Sequence, residues 1–298
     1  MRSKEVISKK IANFVGEISK HQTMRTLFCS ILTLFLLVSD GSQMTISAQQ
    51  PAEYQLVFSD EFNQSNGSQP DSTKWGRSLR ENNGWARWVS NSPKVVYIKN
   101  GRLICRGIPN KSEPTDTATM LTGSVDTKDR FSFQYGKVEV RMKTNLKIGN
   151  FPAIWMMPQP DRSSDKRYGE IDIVEMFGNE GMAAHSAHTH RSYILKKEGL
   201  KRQFRTKVDV TKWHVYGIIW TKDKIVWTID GAEVAEYHRI DSPVMNEEGQ
   251  WTFSRPFFLR LNQSVGDYSH PLLIPDLKGI YETQFDWVRI YQEKNKKL

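Results

Sequence analysis

Eight short runs rich in β-branched and aromatic residues dominate the chain, and they constrain its fold more than any other feature. Several are joined by tight-turn signals, of which Asn100-Gly101 and Asp230-Gly231 are the strongest. No long segment with a 3.6-residue apolar period competes with them after residue 49. The pattern predicts an all-β fold, a large antiparallel sandwich, from the runs YQLVFSDEF, KVVYIKNGRLICRGI, GSVDTKDRFSFQYGKVEVRMKT, AIWMMP, GEIDIVEMF, WHVYGIIWTKDKIVWTIDGAEVAEY, RPFFLRLNQSV and TQFDWVRIYQ.

The first 48 residues have the order of a secretory signal. Arg25 precedes an apolar run from Leu27 to Val38, and the small residues Ser47-Ala48 offer a cleavage site. The apolar run is too short to cross a bilayer, so we expect no membrane span. We therefore expect residues 1–48 to be a removed leader, residues 49–298 to form one domain, and the protein to be exported to the periplasm, the cell surface or the medium.

The charge and cysteine content of residues 49–298 exclude several classes of protein. This part carries 36 Lys or Arg against 30 Asp or Glu, a net charge of +6, which suits an anionic ligand or an ordinary solvated surface. It lacks zinc-like Cys/His spacing, a phosphate-binding glycine loop and a basic run for nucleic acid. Cys105 is its single cysteine, which excludes a disulfide framework, and the alternation around it predicts a small buried residue.

The stretch YGEIDIVEMFG places three carboxylates in one predicted strand. Glu170 and Asp172 share a face, whereas Glu175 would point the other way in a regular strand. The adjacent apolar pair Ile173-Val174 breaks the alternation and predicts a β-bulge. The bulge would turn Glu175 onto the face of the other two carboxylates.

Three aligned carboxylates point to acid–base chemistry on a glycosidic bond. With the bulge discounted, Glu170 and Glu175 are about 13 Å apart along the backbone, and leaning side chains can narrow this to about 5–5.5 Å, the separation in a retaining glycosidase. Asp172 could orient the nucleophile and help keep a neighbouring carboxyl protonated. An acidic solvent face and a calcium cluster are the alternatives, and the residues alone do not order the two Glu roles.

These residues resemble glycoside hydrolase family 16, whose signature E-I/L/V-D-x-x-E is matched by EIDIVE. The segments LVFSDEF, FSFQYGKVEVRMK, FPAIWMMP, WHVYGIIWTKDKIVWTIDG and FDWVRIYQ extend the resemblance, in family order, over about residues 54–292. It implies a concanavalin-like β-jelly-roll sandwich with a substrate cleft on its concave face. It also implies that residues 49–298 are a single catalytic domain that acts as a monomer on a polysaccharide, with no catalytic cofactor.

The resemblance also assigns roles by motif position. Glu170 would be the nucleophile, Asp172 its helper and Glu175 the general acid/base. Trp155 would stack on a sugar ring through its flat aromatic face. Among the histidines of AAHSAHTH, His188 would lie in the cleft, whereas the resemblance leaves the other two open to a packed or an exposed position.

Two further sets of residues match family positions. Glu139 and Arg141 correspond to residues that reach substrate hydroxyls, although a surface ion pair is an equal interpretation. The backbone carbonyls of Glu61 and Gly101 and the carboxylate of Asp286 correspond to a structural calcium site.

The framework is most similar to the laminarinase-like branch, which implies hydrolysis of β-1,3- or mixed β-1,3/1,4-glucan. Two segments depart from that branch: LNQSVGDYSHP, where LNLAVGG-like residues are usual, and ENNGWARWVSNSP, which carries Trp85, Arg87 and Trp88. An Arg between two Trp rings can pair with a sulfate or an acidic sugar. A β-galactan, such as agar, porphyran or a host β-galactosyl glycan, is therefore the alternative substrate, and a non-catalytic lectin-like module is a third interpretation.

Overall fold

The computed structural model describes residues 53–82, 84–111, 113–160, 168–266 and 269–294, and residues 52–298 form one compact unit. The predicted leader, residues 1–48, lies outside the described residues. Most of the described part is strand: β1 (Tyr54–Asp60), β2 (Gly76–Arg77), β3 (Val96–Ile98), β4 (Leu103–Pro109), β5 (Met120–Asp126), β6 (Gly136–Thr144), β7 (Asn150–Pro158), β8 (Gly169–Glu175), β9 (Met182–Thr189), β10 (Gln203–Lys207), β11 (His214–Trp220), β12 (Lys224–Ile229), β13 (Ala232–His238), β14 (Phe257–Val265) and β15 (Tyr281–Glu293).

Helical structure in the described residues is confined to short turns. The longest are a π-helical turn at His190–Ile194 and the α-helical turn α1 at Pro243–Glu247. Single 3-10 turns lie at Gly84–Ala86 and Pro271–Leu273. In these ranges no helix has the length and apolar character needed to cross a membrane.

The strands form two antiparallel layers that continue into each other. The first layer has the order β3-β4-β15-β6-β11-β12-β13, with β1 also paired to β15. The second layer has the order β2-β5-β14-β7-β8-β9-β10. The layers join where β4 pairs with β5. The predicted antiparallel sandwich is confirmed.

Period-two alternation places one face of each central strand in the core between the layers. Val138, Val140 and Met142 of β6 are fully buried in the same cluster as Ile171 and Ile173 of β8. Burial of one such side chain stabilises the fold by about 1.5–3 kcal/mol. The apolar residues of each strand therefore determine which face of the strand packs in the core. The other face of each layer is left for polar groups.

Two local predictions are also confirmed. Both residues of each predicted hairpin turn have positive φ, 52° and 66° for Asn100-Gly101 and 51° and 81° for Asp230-Gly231. These angles suit the type I′ turn, whose twist matches that of the strands it joins. Cys105 is buried in the core, and burial raises the pKa of its thiol to about 12.

Candidate active site

The predicted bulge lies in β8. Ile154 and Trp155 of β7 pair with Val174 and Asp172, so Ile173 has no partner residue on β7. The pairing of β8 with β9 shifts at the same place, between Asp172 and the end of the strand. The extra residue turns the last carboxylate of the strand back to the face of the first two, as the sequence predicts.

The three carboxylates line one pocket on the outer face of the second layer. Glu170, Asp172 and Glu175 share it with side chains from neighbouring strands and from the loop before β3: Trp85, Phe151, Ala153, Trp155 and Asn262. The intervening apolar residues of β8 point into the core. The strand therefore separates a catalytic face from a packing face.

Glu175 is a carboxyl whose surroundings favour its protonated form. Burial raises its pKa well above the usual value, and the charges of Asp172 and Glu170 raise it further. The positive charge of Arg205 acts in the opposite direction but does not cancel this rise. A carboxyl that stays protonated towards neutral pH can serve as a general acid.

Asp172 is fully enclosed between the other groups of the site. It is 1% exposed, and burial, followed by the charge of Glu170 and a hydrogen bond with it, raises its pKa. Tyr168 donates a hydrogen bond from Oη to Oε2 of Glu170 at 2.6 Å. This bond fixes the Glu170 carboxylate, and the short contact between oxygens suits a charged acceptor.

His188 lies beside Asp172, with Nε2 3.1 Å from the Asp172 Oδ2. Nη1 of Arg202 lies 3.2 Å from the other ring nitrogen of His188, Nδ1. Because a guanidinium can only donate, Nδ1 accepts this bond and the ring hydrogen lies on Nε2, the nitrogen nearer to the aspartate. The structure thus places His188 at the site, and it adds Arg202, which the sequence did not indicate.

Trp155 lines the pocket while most of its surface is packed, since it is only 7% exposed. Its Nε1 donates to Oδ1 of Asn262 at 2.7 Å. Its ring meets Trp85 edge to face, with centroids 5.0 Å apart. Two tryptophans therefore form one aromatic wall, and Trp85 provides much of the surface that a sugar could contact.

Arg260 is a residue of this wall that sequence analysis missed. Its Cζ lies 4.6 Å from the centroid of Trp155 and 4.8 Å from that of Trp85. Its Nε and Nη2 are each 3.3 Å from Oδ2 of Asp126. Alternation in FFLRLNQS was the available signal, because Arg260 and Asn262 fall between core residues of β14.

Arg87 and Trp88 do not line this pocket, and the predicted arrangement of an Arg between two tryptophans is corrected. Trp88 packs against Met120, Val265 and Tyr281 in a separate cluster. The Cζ of Arg87 lies 5.4 Å from the Trp88 ring. Trp85 lies within the 3-10 turn Gly84–Ala86, whereas Arg87 and Trp88 follow this turn, and the two tryptophans contact different clusters.

Glu139 and Arg141 also lie elsewhere, which corrects their predicted contact with substrate in this cleft. They alternate with core residues of β6 and so occupy the outer face of the first layer, on the far side of the core. Glu139 pairs with Lys137 at 2.6 Å, and Arg141 pairs with Asp286. The surface ion-pair interpretation describes both.

The residues of the predicted calcium site do not fit a calcium ion. Arg141 donates to the carboxylate of Asp286, and Nε of Arg102 lies 3.5 Å from its other oxygen. Two guanidinium groups thus already neutralise the carboxylate proposed, together with the carbonyls of Glu61 and Gly101, to hold the ion. A cation there would have to displace them.

One other donor set has metal-ligand proximity in the described part of the chain. Single ligand atoms of Glu170, Asp172 and His188 lie within 4.8 Å of one another. Glu170 already accepts from Tyr168, and Nε2 of His188 lies 3.1 Å from Oδ2 of Asp172. Glu170 therefore has a protein hydrogen-bond donor, whereas Oδ2 of Asp172 has no hydrogen-bond partner among the described residues.

A family model for glycosyl hydrolases family 16 matches residues 88–258, more than half of the chain. The chain belongs to this family. A keratan-sulfate endo-1,4-β-galactosidase of Sphingobacterium multivorum is 32% identical, over 80% of this chain and 56% of its own length. The glucan endo-1,3-β-glucosidase A1 of Niallia circulans is 29% identical, over 86% of this chain and 41% of its own length.

Among solved structures, the family 16 non-specific endo-β-1,3(4)-glucanase SCLam superposes with a TM-score of 0.69 at 27% identity, covering 82% of this chain and 93% of that one. The predicted jelly-roll fold of the family is thereby confirmed. The chain spans about half the length of the two curated relatives named above.

Proposed function

We propose that this family 16 protein is a retaining endo-glycosidase that hydrolyses internal β-linkages of a polysaccharide. The observation that carries the proposal is the bulge of β8, which brings Glu170, Asp172 and Glu175 into one pocket. The raised pKa of Glu175 supports its role as the proton donor. The hydrogen bond from Tyr168 supports Glu170 as the anchored nucleophile.

The reaction takes place in two steps that use only these side chains and water. A carboxylate oxygen of Glu170 attacks the anomeric carbon while Glu175 gives its proton to the departing glycosidic oxygen. Water then attacks the same carbon, transfers a proton to Glu175 and releases Glu170. Two inversions at one carbon retain its configuration. Asp172, which is enclosed beside His188, keeps the nucleophile oriented between the steps.

A β-1,3- or mixed β-1,3/1,4-glucan is the substrate we propose. Support comes from the glucan-cleaving relatives and structural neighbour, and from the aromatic wall of Trp155 and Trp85, which suits the apolar faces of a glucosyl chain. We also propose that the protein is exported, acts as a monomer and needs no metal ion for catalysis. The leader-like segment supports export, and the assignment of each step to a carboxylate supports catalysis without a metal ion.

A β-galactan is the second candidate, and Arg260 is the observation that favours it. This cation, which is paired with Asp126, lies against both tryptophan rings and also lines a second pocket that contains the bases Arg77, Lys128 and Arg130 and the acids Glu81, Asp126 and Asp129. Cationic side chains near an aromatic wall suit a sulfated sugar. The similarity to a keratan-sulfate galactosidase points the same way.

Product analysis tests both candidates. The purified protein is incubated with laminarin, barley mixed-linkage glucan, agarose, porphyran and keratan sulfate, beside Glu170→Gln and a control, Glu139→Gln, whose residue lies on the other layer. Short oligosaccharides from the glucans, lost in Glu170→Gln and kept in Glu139→Gln, are the expected result. Cleavage confined to a galactan would establish the second candidate, and binding without cleavage of any polysaccharide would establish a lectin-like module.

A further inference from the structure

Two backbone carbonyls at the bulge accept hydrogen bonds from side chains. A bulge interrupts the ladder of a sheet, so its carbonyls need other donors. Nε1 of Trp227 donates to the carbonyl oxygen of Asp172 at 2.8 Å. Nδ1 of His185 lies 2.7 Å from the carbonyl oxygen of Ile173, the extra residue.

Both donors are buried and come from different parts of the fold. Trp227 lies on β12 in the first layer, so its indole reaches across the core to the second layer. His185 lies on β9, next to β8. Neither is among the described residues that line the pocket. Both reach the site through hydrogen bonds to the backbone of the bulge.

The protonation of His185 is fixed by its partners. A carbonyl only accepts, so the ring hydrogen is on Nδ1, and Nε2 can accept from Oγ1 of Thr206 at 3.4 Å. Burial lowers the pKa of His185, which keeps the ring neutral. The Nδ1–H group of His185 therefore remains a donor to the bulge at neutral pH.

We propose that Trp227 and His185 are positioning residues that hold the bulge of β8 in the register that sets Glu175 on the catalytic face. The inference rests on the proposed function, because it assigns them a task for the general acid. A buried carbonyl without a donor is costly, so removal of either donor disfavours the bulged backbone. The strand then relaxes towards regular pairing, in which Glu175 turns away from Glu170.

Trp227→Phe tests the proposal, and Trp220→Phe is its matched control. Trp220 is 1% exposed and lies on β11 of the same layer, and its Nε1 has no hydrogen-bond partner among the described residues. Both substitutions remove the same volume from the core. Only Trp227→Phe also removes a donor from the bulge.

The readout compares a polysaccharide with a dinitrophenyl glycoside of the same sugar. Dinitrophenolate leaves without a proton, so kcat/KM for the glycoside does not depend on the general acid. We expect Trp227→Phe to lower kcat/KM for the polysaccharide at least about tenfold and for the glycoside less than about twofold, because displacement of a catalytic group by about an ångström has effects of this size or larger. Trp220→Phe should change neither.

His185 provides an independent pair of variants. Asn keeps a side-chain N–H close to the position of Nδ1, whereas Leu does not. His185→Asn should keep most of the polysaccharide activity, and His185→Leu should behave like Trp227→Phe. Equal effects of Asn and Leu, equal effects of Trp227→Phe and Trp220→Phe, or equal losses on both substrates would overturn the proposal.

A measurement without turnover separates this inference from the proposed function. Carboxyl-carbon NMR follows the titration of Glu175 in the wild type and in both tryptophan variants. The titration midpoint should move in Trp227→Phe and stay in place in Trp220→Phe, even if no polysaccharide is cleaved. Identical midpoints in all three proteins would overturn the positioning role, while the activity assays decide the proposed function on their own.

Discussion

The ion pair between Arg260 and Asp126 should be strongly coupled, because the fold buries both partners. Their side chains are 9% and 7% exposed, and Asp126 also accepts a hydrogen bond from Ser78 at 2.8 Å. Asp126→Ala leaves a buried guanidinium without its carboxylate, and Arg260→Met leaves a buried carboxylate without its cation. Each single variant should lose about 3–5 kcal/mol of the free energy of unfolding. The double variant, which leaves neither charge, should lose at least about 2 kcal/mol less than the sum.

Urea unfolding of the four proteins at pH 7 measures this coupling. The pair of Arg80 and Asp116 is the control: it is bidentate, with both contacts at 2.6 Å, but its side chains are 33% and 21% exposed. Its coupling should stay below about 1 kcal/mol because water screens it. Additivity within about 0.5 kcal/mol at Arg260 and Asp126, or equal coupling in the two pairs, would refute the argument from burial.

Three other outcomes follow from the site. In urea unfolding, Glu175→Gln should be more stable than the wild type at pH 8 and as stable as the wild type at pH 4. The raised pKa of Glu175 means that the wild type loses stability as the pH rises through that pKa, whereas glutamine does not ionise. The same difference in stability between the two proteins at both pH values would contradict this. Asn262→Ala should lower the free energy of unfolding in urea by about 1–3 kcal/mol, because it leaves Nε1 of buried Trp155 unpaired. An unchanged free energy would show that this hydrogen bond does not stabilise the fold. EDTA should shift the Tm by less than about 1 °C, because guanidinium groups neutralise Asp286, and a fall above about 5 °C would restore the calcium prediction.

Local patterns predicted the parts of the fold that depend on neighbours in the chain. The break in alternation at Ile173-Val174 located the bulge, since two consecutive apolar residues cannot both face the core in a regular strand. The Asn-Gly and Asp-Gly pairs located two hairpins, since such residues accept positive φ. Alternation also predicted the core faces of the strands, since successive side chains of a strand point to opposite faces.

Alternation identifies the polar face of a strand but does not predict in which of the two layers that strand lies. Glu139 and Arg141 share the polar face of β6, and nothing local distinguishes the outer face of the first layer from that of the second. For Arg260, the sequence predicts the face of the strand but not the contacts of the side chain. Its place on the polar face of β14 is readable in the sequence, but its contacts with Trp85 and Asp126 depend on strand pairing and loop path over more than a hundred residues.

The two glutamates of β8 have unlike surroundings, and this difference bears on the order of their roles, which the sequence alone left open. Glu170 accepts a hydrogen bond from Tyr168, an arrangement that anchors an anion for attack on carbon. Glu175 is half-buried beside two other carboxyls, and loss of hydration together with their charges raises its pKa and favours the protonated form that a leaving oxygen needs. The difference between the two glutamates therefore comes from the hydrogen bond of Tyr168 and from the bulge of β8. It favours the same order of roles that the family resemblance implies.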